Sequence, residues 1–350
     1  MIRLGIIGTG GMAGGHAKHF SEMKGVRLAA CCDIVKDKAE AFAEKWKIPV
    51  AYTDFGKMLA TEKLDAVSVV TTDKAHAAAS IAVARHGLHV LCEKPLATSL
   101  PEARRMLAAV KKARVINMVN FSYRNSCGLQ AAAQLVAEGG IGRLIHVEAS
   151  YLQSWLASGG WGNWRNAPWA LWRLSTRHGS LGVLGDIGCH IYDMTAFLCG
   201  DIAEIACRLK TFDKGVKGNR IGEYVFDAND SFVSTVTFAN GAIGTVHSTR
   251  WASGQSNSLR VRAYGDKGGI EVDLDRAYDE YRVCRGKKDL DKVNWQSVKC
   301  KPTPNNFQRF IRAIRSGKGD PSDFANAVKV QAYLHYSIES GRLRRPQRVR

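Results

Sequence analysis

The sequence predicts an α/β protein: an N-terminal doubly wound parallel sheet, then an α+β domain with a large, mostly antiparallel open sheet. Three observations carry that expectation. Over residues 1 to about 120, apolar runs alternate with helix-periodic segments, the pattern of strand-helix-strand units stacking into a parallel sheet. Beyond about Tyr123 the segments become long, alternating and β-rich, with glycine turns between them, which suits antiparallel pairing. Finally, 350 residues exceed one ordinary compact domain and suit two, each burying its own core. The expected domains are residues 1–121 and 122–350, with a cleft between them.

The elements follow in order. Arg3 to Gly8 reads as the first strand, Gly11 to Met23 as a helix, Arg27 to Asp33 as the second strand and Lys36 to Trp46 as the second helix. Leu64 to Thr71, rich in β-branched residues, is a strand, His76 to His86 a helix and His89 to Glu93 a strand. Pro101 suits a helix start, so Glu102 to Lys112 is helical, and Val115 to Phe121 closes this half as a strand. In the second half the expected strands are Ile145 to Leu152, Ile205 to Phe212, Ser231 to Phe238, Gly244 to Ser248 and Leu259 to Tyr264. One helix is expected there from about Leu184 to Phe197.

Composition removes several function classes. With 45% hydrophobic and 23% charged residues, the chain has a globular balance, and no apolar run approaches bilayer length. Ile2 to Ile7 already reads as a buried strand and not as a leader, so a cytoplasmic protein with no membrane partner is expected. Nine cysteines, an odd number without a C-x-x-C pair, indicate neither a disulfide framework nor a zinc ribbon. The formal charge of +18 and five arginines in the last ten residues raise nucleic acid as a partner. The other basic residues are spread among acids and no nucleic-acid motif is present, so no nucleic-acid partner is expected.

Gly8-Thr9-Gly10-Gly11-Met12-Ala13 follows the first strand at once and opens a helix, filling the positions of a G-x-G-x-x-G/A fingerprint with Gly8, Gly10 and Ala13. Gly8 permits the tight turn, Gly10 lets the backbone approach a pyrophosphate, and Ala13 allows close helix-strand packing. The helix N-terminus aims N–H groups at the anion. The second strand ends in Asp33, twenty-five positions after Gly8, where a carboxylate accepts from ribose hydroxyls. An acid there repels a 2'-phosphate, so NAD is favoured; Lys36 and Lys38 leave NADP open as a second cofactor.

Two more segments carry chemistry. Cys92-Glu93-Lys94-Pro95 stands at a strand end, where open α/β sheets bind ligands. Gly185 to Asp193 puts Asp186 and His190 four apart, on one helix face. A metal site built from Asp186, His190 and His178 lacks the paired spacing of zinc enzymes, and no metal is expected.

Through these motifs the sequence resembles the Gfo/Idh/MocA oxidoreductases over nearly its whole length. The resemblance rests on the fingerprint, the E-K-P motif at Glu93 to Pro95, the D-x-G-x-H-x-x-D motif at Asp186 to Asp193, and Tyr264 to Gly268. It implies a Rossmann domain followed by a domain whose open sheet builds homodimers or homotetramers. It also implies Lys94, Asp186 and His190 as the catalytic set, with Lys94, Asp186 and His190 touching substrate. Oxidising a secondary alcohol needs a base tunable near neutrality, and His190, with an ordinary pKa of about 6.5, suits that role. Lys94 would then stabilise the developing alkoxide while Asp186 orients substrate or lysine. A lysine base with a lowered pKa is equally compatible with the sequence.

The cofactor set implied is Gly8, Thr9, Gly10, Gly11, Met12, Asp33, Thr71, Thr72, His76, Glu93, Lys94, Trp172 and Arg173. Thr72 stands where the family's T-P-x-x-x-H turn has proline, and His178-Gly179-Ser180 replaces a glycine triplet. Asn120, Tyr123 and Arg124, at the domain boundary, are candidates for substrate hydroxyls. Trp155, Trp161, Trp164, Trp169 and Trp172 crowd one segment, chiefly for packing or a subunit contact. The expected reaction is hydride transfer between the nicotinamide and a sugar, inositol or anhydro-sugar carbon. Against it stand reduction of a dihydrodiol or tetrapyrrole on the same fold, and a noncatalytic dinucleotide sensor, which would not need the proton-handling set.

Overall fold

The computed structural model describes residues 1–350. The chain forms two compact units, Met1–Ser122 with Pro304–Gln331, and Tyr123–Thr303 with Ala332–Arg350.

The first unit runs β1 (Ile2–Ile7), α1 (Ala13–Ser21), β2 (Val26–Cys32), α2 (Lys36–Trp46), β3 (Val50–Tyr52), α3 (Phe55–Thr61), β4 (Ala66–Val69), α4 (Asp73–Arg85), β5 (His89–Cys92), α5 (Leu100–Ala113) and β6 (Asn117–Val119). The strands are all parallel, in the order β3-β2-β1-β4-β5-β6. Because helices cover both faces, β4 is buried at every residue, and Ala66, Val67 and Val69 are apolar without alternation, with Ser68 its one polar side chain. The order reverses direction at β1 and β4, whose carboxyl ends lead into Gly8 and Thr71; such a switch point is where doubly wound sheets take their ligands. Sequence periodicity passes over β3 and α3, each less than eight residues long, although Asp54 caps α3 by accepting from the N–H groups of Gly56 and Lys57.

The segment Pro304–Gln331 differs from the sequence expectation, which assigned everything after residue 121 to the second domain. Helix Asn306–Ser316 buries Phe307, Phe310 and Ile311 in the cluster that holds Leu4, Ile6, Phe20 and Leu28. An amphipathic pattern says that a face is buried; it does not say against which sheet.

The second unit contains α6 (Cys127–Ala137), β7 (Leu144–Gln153), α7 (Pro168–Leu171), α8 (Cys189–Cys199), β8 (Ile202–Lys210), the short pair β9 (Arg220–Ile221) and β10 (Tyr224–Val225), β11 (Ser231–Phe238), β12 (Ile243–Thr249), β13 (Asn257–Gly265), β14 (Gly268–Asp273), β15 (Glu280–Arg285), β16 (Gln296–Lys299) and β17 (Gln347–Arg348). Nine strands form one sheet in the order β16-β15-β14-β13-β7-β12-β11-β8-β17, in which only β7 and β12 pair in parallel. Alternate residues of β11 are buried, and α8 packs on β7, β12 and β13. The opposite face exposes Val233 and Ile243. Trp155, Trp164, Leu171, Leu174 and Phe226 form a smaller apolar cluster.

The expected helix from Leu184 is in fact two pieces. Leu184–Gly188 is a π-helical turn, and the α-helix begins only at Cys189. Gly185 and Gly188 make this possible, since a Cβ at Gly185 would lie 2.3 Å from the Leu181 Cβ and one at Gly188 would lie 2.9 Å from the Phe232 ring. All nine cysteines are free thiols, and no helix is long and apolar enough to cross a membrane.

Candidate active site

In the first unit the fingerprint turn has the geometry its residues predict. Gly8 has φ of +93°, and a Cβ there would sit 2.4 Å from the Val70 carbonyl oxygen, so no other residue fits. A Cβ at Gly10 or Gly11 would meet nothing within 4 Å. No protein atom therefore demands those two glycines, whereas a pyrophosphate lying against the backbone would. Helix α1 has Met12 as its N-cap and no side-chain cap bond, so its N-terminus is suited to an anion.

Asp33 is tied to this turn. Its Oδ2 accepts from the Thr9 N–H and the Thr9 hydroxyl, both at 2.9 Å, and Oδ1 accepts from the Val35 N–H at 3.0 Å. Burial would raise the carboxyl's pKa, but these bonds and the Lys38 charge hold it below the usual range. Three of about four acceptor positions are used, which leaves one for a ribose hydroxyl. Met12, Ile34 and Val35 expose apolar side chains around it, a surface that fits an adenine ring. The residues present thus fit a bound dinucleotide.

The strand ends behind the turn are joined by buried polar groups. His16 bonds Ser68 Oγ through Nδ1 at 2.7 Å and Glu93 Oε1 through Nε2 at 2.8 Å. Asn120 donates to the same Glu93 oxygen at 2.6 Å, and Asn306 donates to Asn120 at 2.9 Å. Burial opposes ionisation of Glu93, yet the His16 and Asn120 bonds with the His16 and Lys94 charges bring its pKa from 4.5 down to about 2. Glu93 and Asn120 therefore serve the frame that holds Lys94, and their polar ends are spent inside the protein.

Lys94 is half-buried, its N–H bonded to Glu93 Oε2 at 3.2 Å, and its peptide bond to Pro95 is cis. His76 is wholly buried between two turns, with Nδ1 2.8 Å from the Pro95 carbonyl and Nε2 3.2 Å from that of Thr71. It fastens the Thr71-Thr72 turn to the Lys94-Pro95 turn.

In the second unit Asp186 lies on the π turn and His190 on the first turn of α8. Asp186 Oδ2 accepts from Arg173 Nε at 3.1 Å and from an Arg250 terminal nitrogen at 3.0 Å. Arg250 is fully buried, also donates to the Arg173 carbonyl, and stacks on Trp155 at 4.9 Å. Its burial lowers its pKa, the Asp186 carboxylate raises it, and the Arg173 charge lowers it again. It stays protonated, so Asp186 is held as a carboxylate between two cations.

The Tyr123 ring meets the His190 ring edge-to-face at 4.8 Å. Its hydroxyl closes a cycle: Tyr151 donates to Asn257 Oδ1 at 2.8 Å, the Asn257 amide donates to Tyr123 at 3.2 Å, and Tyr123 in turn donates to Tyr151 at 2.5 Å. Burial, helped by Tyr123 and Asp186, pushes the Tyr151 phenol well above its ordinary value, so this cycle stays neutral. Arg124 is buried in a two-point pair with Asp193 at 2.7 Å, which fixes α8 and leaves the guanidinium turned inward. His178 bonds Ser175, lies 3.6 Å from a Glu223 carboxylate oxygen and packs on Tyr224. Nowhere in the chain are three metal-ligating side chains gathered.

Of these groups, sequence reasoning passed over His16, Tyr151, Arg250, Asn257 and Asn306. Each is a single polar residue at a strand end or helix start, and nothing in local pattern marks it as facing Glu93, His190 or Asp186.

Residues 2–121 match the model of the oxidoreductase family with an NAD-binding Rossmann fold, and residues 129–271 match the GFO/IDH/MocA C-terminal domain. The chain belongs to the Gfo/Idh/MocA family. Among its Gfo/Idh/MocA relatives, levoglucosan dehydrogenase of Pseudarthrobacter phenanthrenivorans is 29% identical over 318 residues, 85% of this chain and 80% of that one. Myo-inositol 2-dehydrogenase of Thermotoga maritima is 27% identical over 274 residues, 78% of this chain and 75% of that one. The solved structure of a levoglucosan dehydrogenase with NADH and levoglucosan superposes with a TM-score of 0.87 at 25% identity, covering 100% of this chain and 99% of that one. As a Gfo/Idh/MocA member, the chain is an NAD-binding oxidoreductase.

Proposed function

We propose that this protein exchanges a hydride between NAD and a secondary alcohol or ketone carbon of a sugar, inositol or anhydro-sugar, with Lys94, Asp186 and His190 as the catalytic set. The observation that carries the reading is the Asp186 carboxylate, fixed and ionised by Arg173 and Arg250 one helical turn from His190. In the bound state NAD supplies the hydride acceptor, or as NADH the donor. His190 removes the hydroxyl proton as the substrate is oxidised, and returns it in the reverse direction. Lys94, next in the chain to the Glu93 carboxylate, donates a hydrogen bond to the reacting oxygen and stabilises alkoxide charge. Asp186 accepts from a neighbouring substrate hydroxyl and sets its orientation.

Gly8, Thr9, Gly10, Gly11 and Met12 hold the pyrophosphate and Asp33 the adenosine ribose. Thr71, Thr72 and Lys94 of the first unit and Trp172 and Arg173 of the second are assigned to the nicotinamide half, with His76 and Glu93 bracing the turns of the first unit. Tyr123 sets the His190 ring, while Asn120 and Arg124 position the elements that carry Lys94 and His190. The outer face of the nine-stranded sheet, with exposed Val233 and Ile243, builds a homodimer or homotetramer. Nine free thiols agree with a cytoplasmic location.

A screen of NAD(H) absorbance change against polyols, aldoses and ketoses identifies the substrate. With it in hand, Lys94→Met is expected to leave NADH binding nearly intact and to lower kcat by about a hundredfold or more, since it removes a contact made in the transition state. Turnover equal to the parent's would end the catalytic assignment.

A further inference from the structure

Three indole rings step outward from the arginine clamp on Asp186. Trp155, 1% exposed, carries the Arg250 guanidinium on its face. Trp169 meets Trp155 edge-on at 5.4 Å, and Trp161 lies 6.2 Å from Trp169 at 41°. The Trp169 carbonyl also accepts from Arg173, whose Nε holds Asp186. The tryptophans of this segment grade in exposure, with Trp172 half-buried. Trp155 and Trp164 are core residues, whereas Trp161 and Trp169 keep 38% and 37% of their surface in water. Trp161 sits in an exposed Ser158 to Asn163 loop rich in glycine, where a Cβ at Gly159 or Gly162 would meet nothing within 4 Å.

Two indoles part-exposed to water, chained by ring contacts to the arginine clamp on Asp186, suit an occupant with an apolar face and a polar rim. A second copy of the chain fits badly, because two part-exposed rings on a short loop fall far below the roughly 800 Å² per partner of a stable interface. A pyranose ring fits well: its axial C–H bonds form a flat apolar face that aromatic rings accept, and its hydroxyls stay in the water around the exposed Ser158 to Asn163 loop.

We propose that Trp161 and Trp169 form an aromatic subsite for a second sugar ring, so that the substrate is a glycoside or disaccharide whose first ring engages Asp186. This rests on the sugar-oxidoreductase reading above. The test is steady-state kinetics of the NAD-loaded enzyme on one-ring sugars (glucose, methyl glucoside) and two-ring sugars (cellobiose, maltose, phenyl glucoside), for the parent, Trp161→Ala and Trp161→Phe. Alongside it, saturation-transfer NMR follows binding of the two-ring sugars to the NADH-loaded protein.

In Trp161→Ala, the ratio of kcat/KM for two-ring over one-ring sugars is expected to fall about tenfold, with most of it restored by Trp161→Phe. An unchanged ratio overturns the subsite. So does a change in molecular mass by light scattering in Trp161→Ala, which would make the patch a subunit contact, and so does a parent that binds none of the two-ring sugars. Binding that Trp161→Ala abolishes, without turnover of any sugar, would uphold the subsite while ending the catalytic reading.

Discussion

A single buried arginine decides how Asp186 behaves. Arg250 is 0% exposed, and its removal takes a fully buried cation from the carboxylate and leaves beside it Arg173, a guanidinium that is itself partly exposed. Breaking a buried charged pair costs about 3 kcal/mol or more when the surviving charge has no second partner; here Arg173 remains, so about 2 kcal/mol is expected. Arg250→Lys keeps the charge but cannot reach both Asp186 and the Arg173 carbonyl with a planar fork. Its expected phenotype is a kcat reduced about tenfold, a kcat/KM profile displaced along the pH axis, and an NADH affinity like the parent's. A merely structural arginine would leave the profile where it was, and a variant with parental kcat and profile would refute the positioning role.

Residues of this kind were illegible in the sequence. Lys94, Asp33 and the Asp186-His190 spacing stand out because chemistry and local geometry coincide in a short stretch. Arg250 and Asn257 act across strands, and their partners are named only when register is known.

Elements show the same division. Long periodic segments such as α2 and β11 were legible to the residue, because a full amphipathic or alternating stretch has one consistent reading. The π turn at Leu184–Gly188 was not, since α and π backbones share the same residue preferences and differ by one inserted position.

Equally hidden was how β4, β5, β6 and α1 are joined through Glu93. That junction is acid-sensitive in a defined direction. The folded pKa of Glu93 is lowered from 4.5 to about 2, so its contribution is fully present above its unfolded value and is lost as pH falls from about 4.5 through 2. Urea unfolding of the parent and Glu93→Gln between pH 6 and 2 should show a stability difference that is level above about 4.5 and shrinks below it. A difference that stays constant to pH 2 would show that Glu93 is not ionised in the folded protein at low pH.

At the scale of the whole molecule, the first unit is completed by a piece of chain that returns some 180 residues after leaving it. The return is energetically necessary. Phe307, Phe310 and Ile311 are 6%, 0% and 3% exposed, and Phe307 packs edge-on against Phe20 at 5.3 Å and His16 at 4.8 Å. Burying three such side chains contributes roughly 5 to 9 kcal/mol at about 1.5 to 3 each, which is comparable with the entire stability of a domain. Asn306 also supplies the donor that holds Asn120 against Glu93. Residues 1–122 alone, although they contain the complete dinucleotide fingerprint, should therefore show no cooperative thermal transition and no NADH-dependent fluorescence change. The same segment fused through a long glycine-serine linker to residues 304–331 should recover both. If residues 1–122 by themselves melt cooperatively and bind NADH as tightly as the fusion, the returning helix is an accessory, and the fingerprint half folds without it.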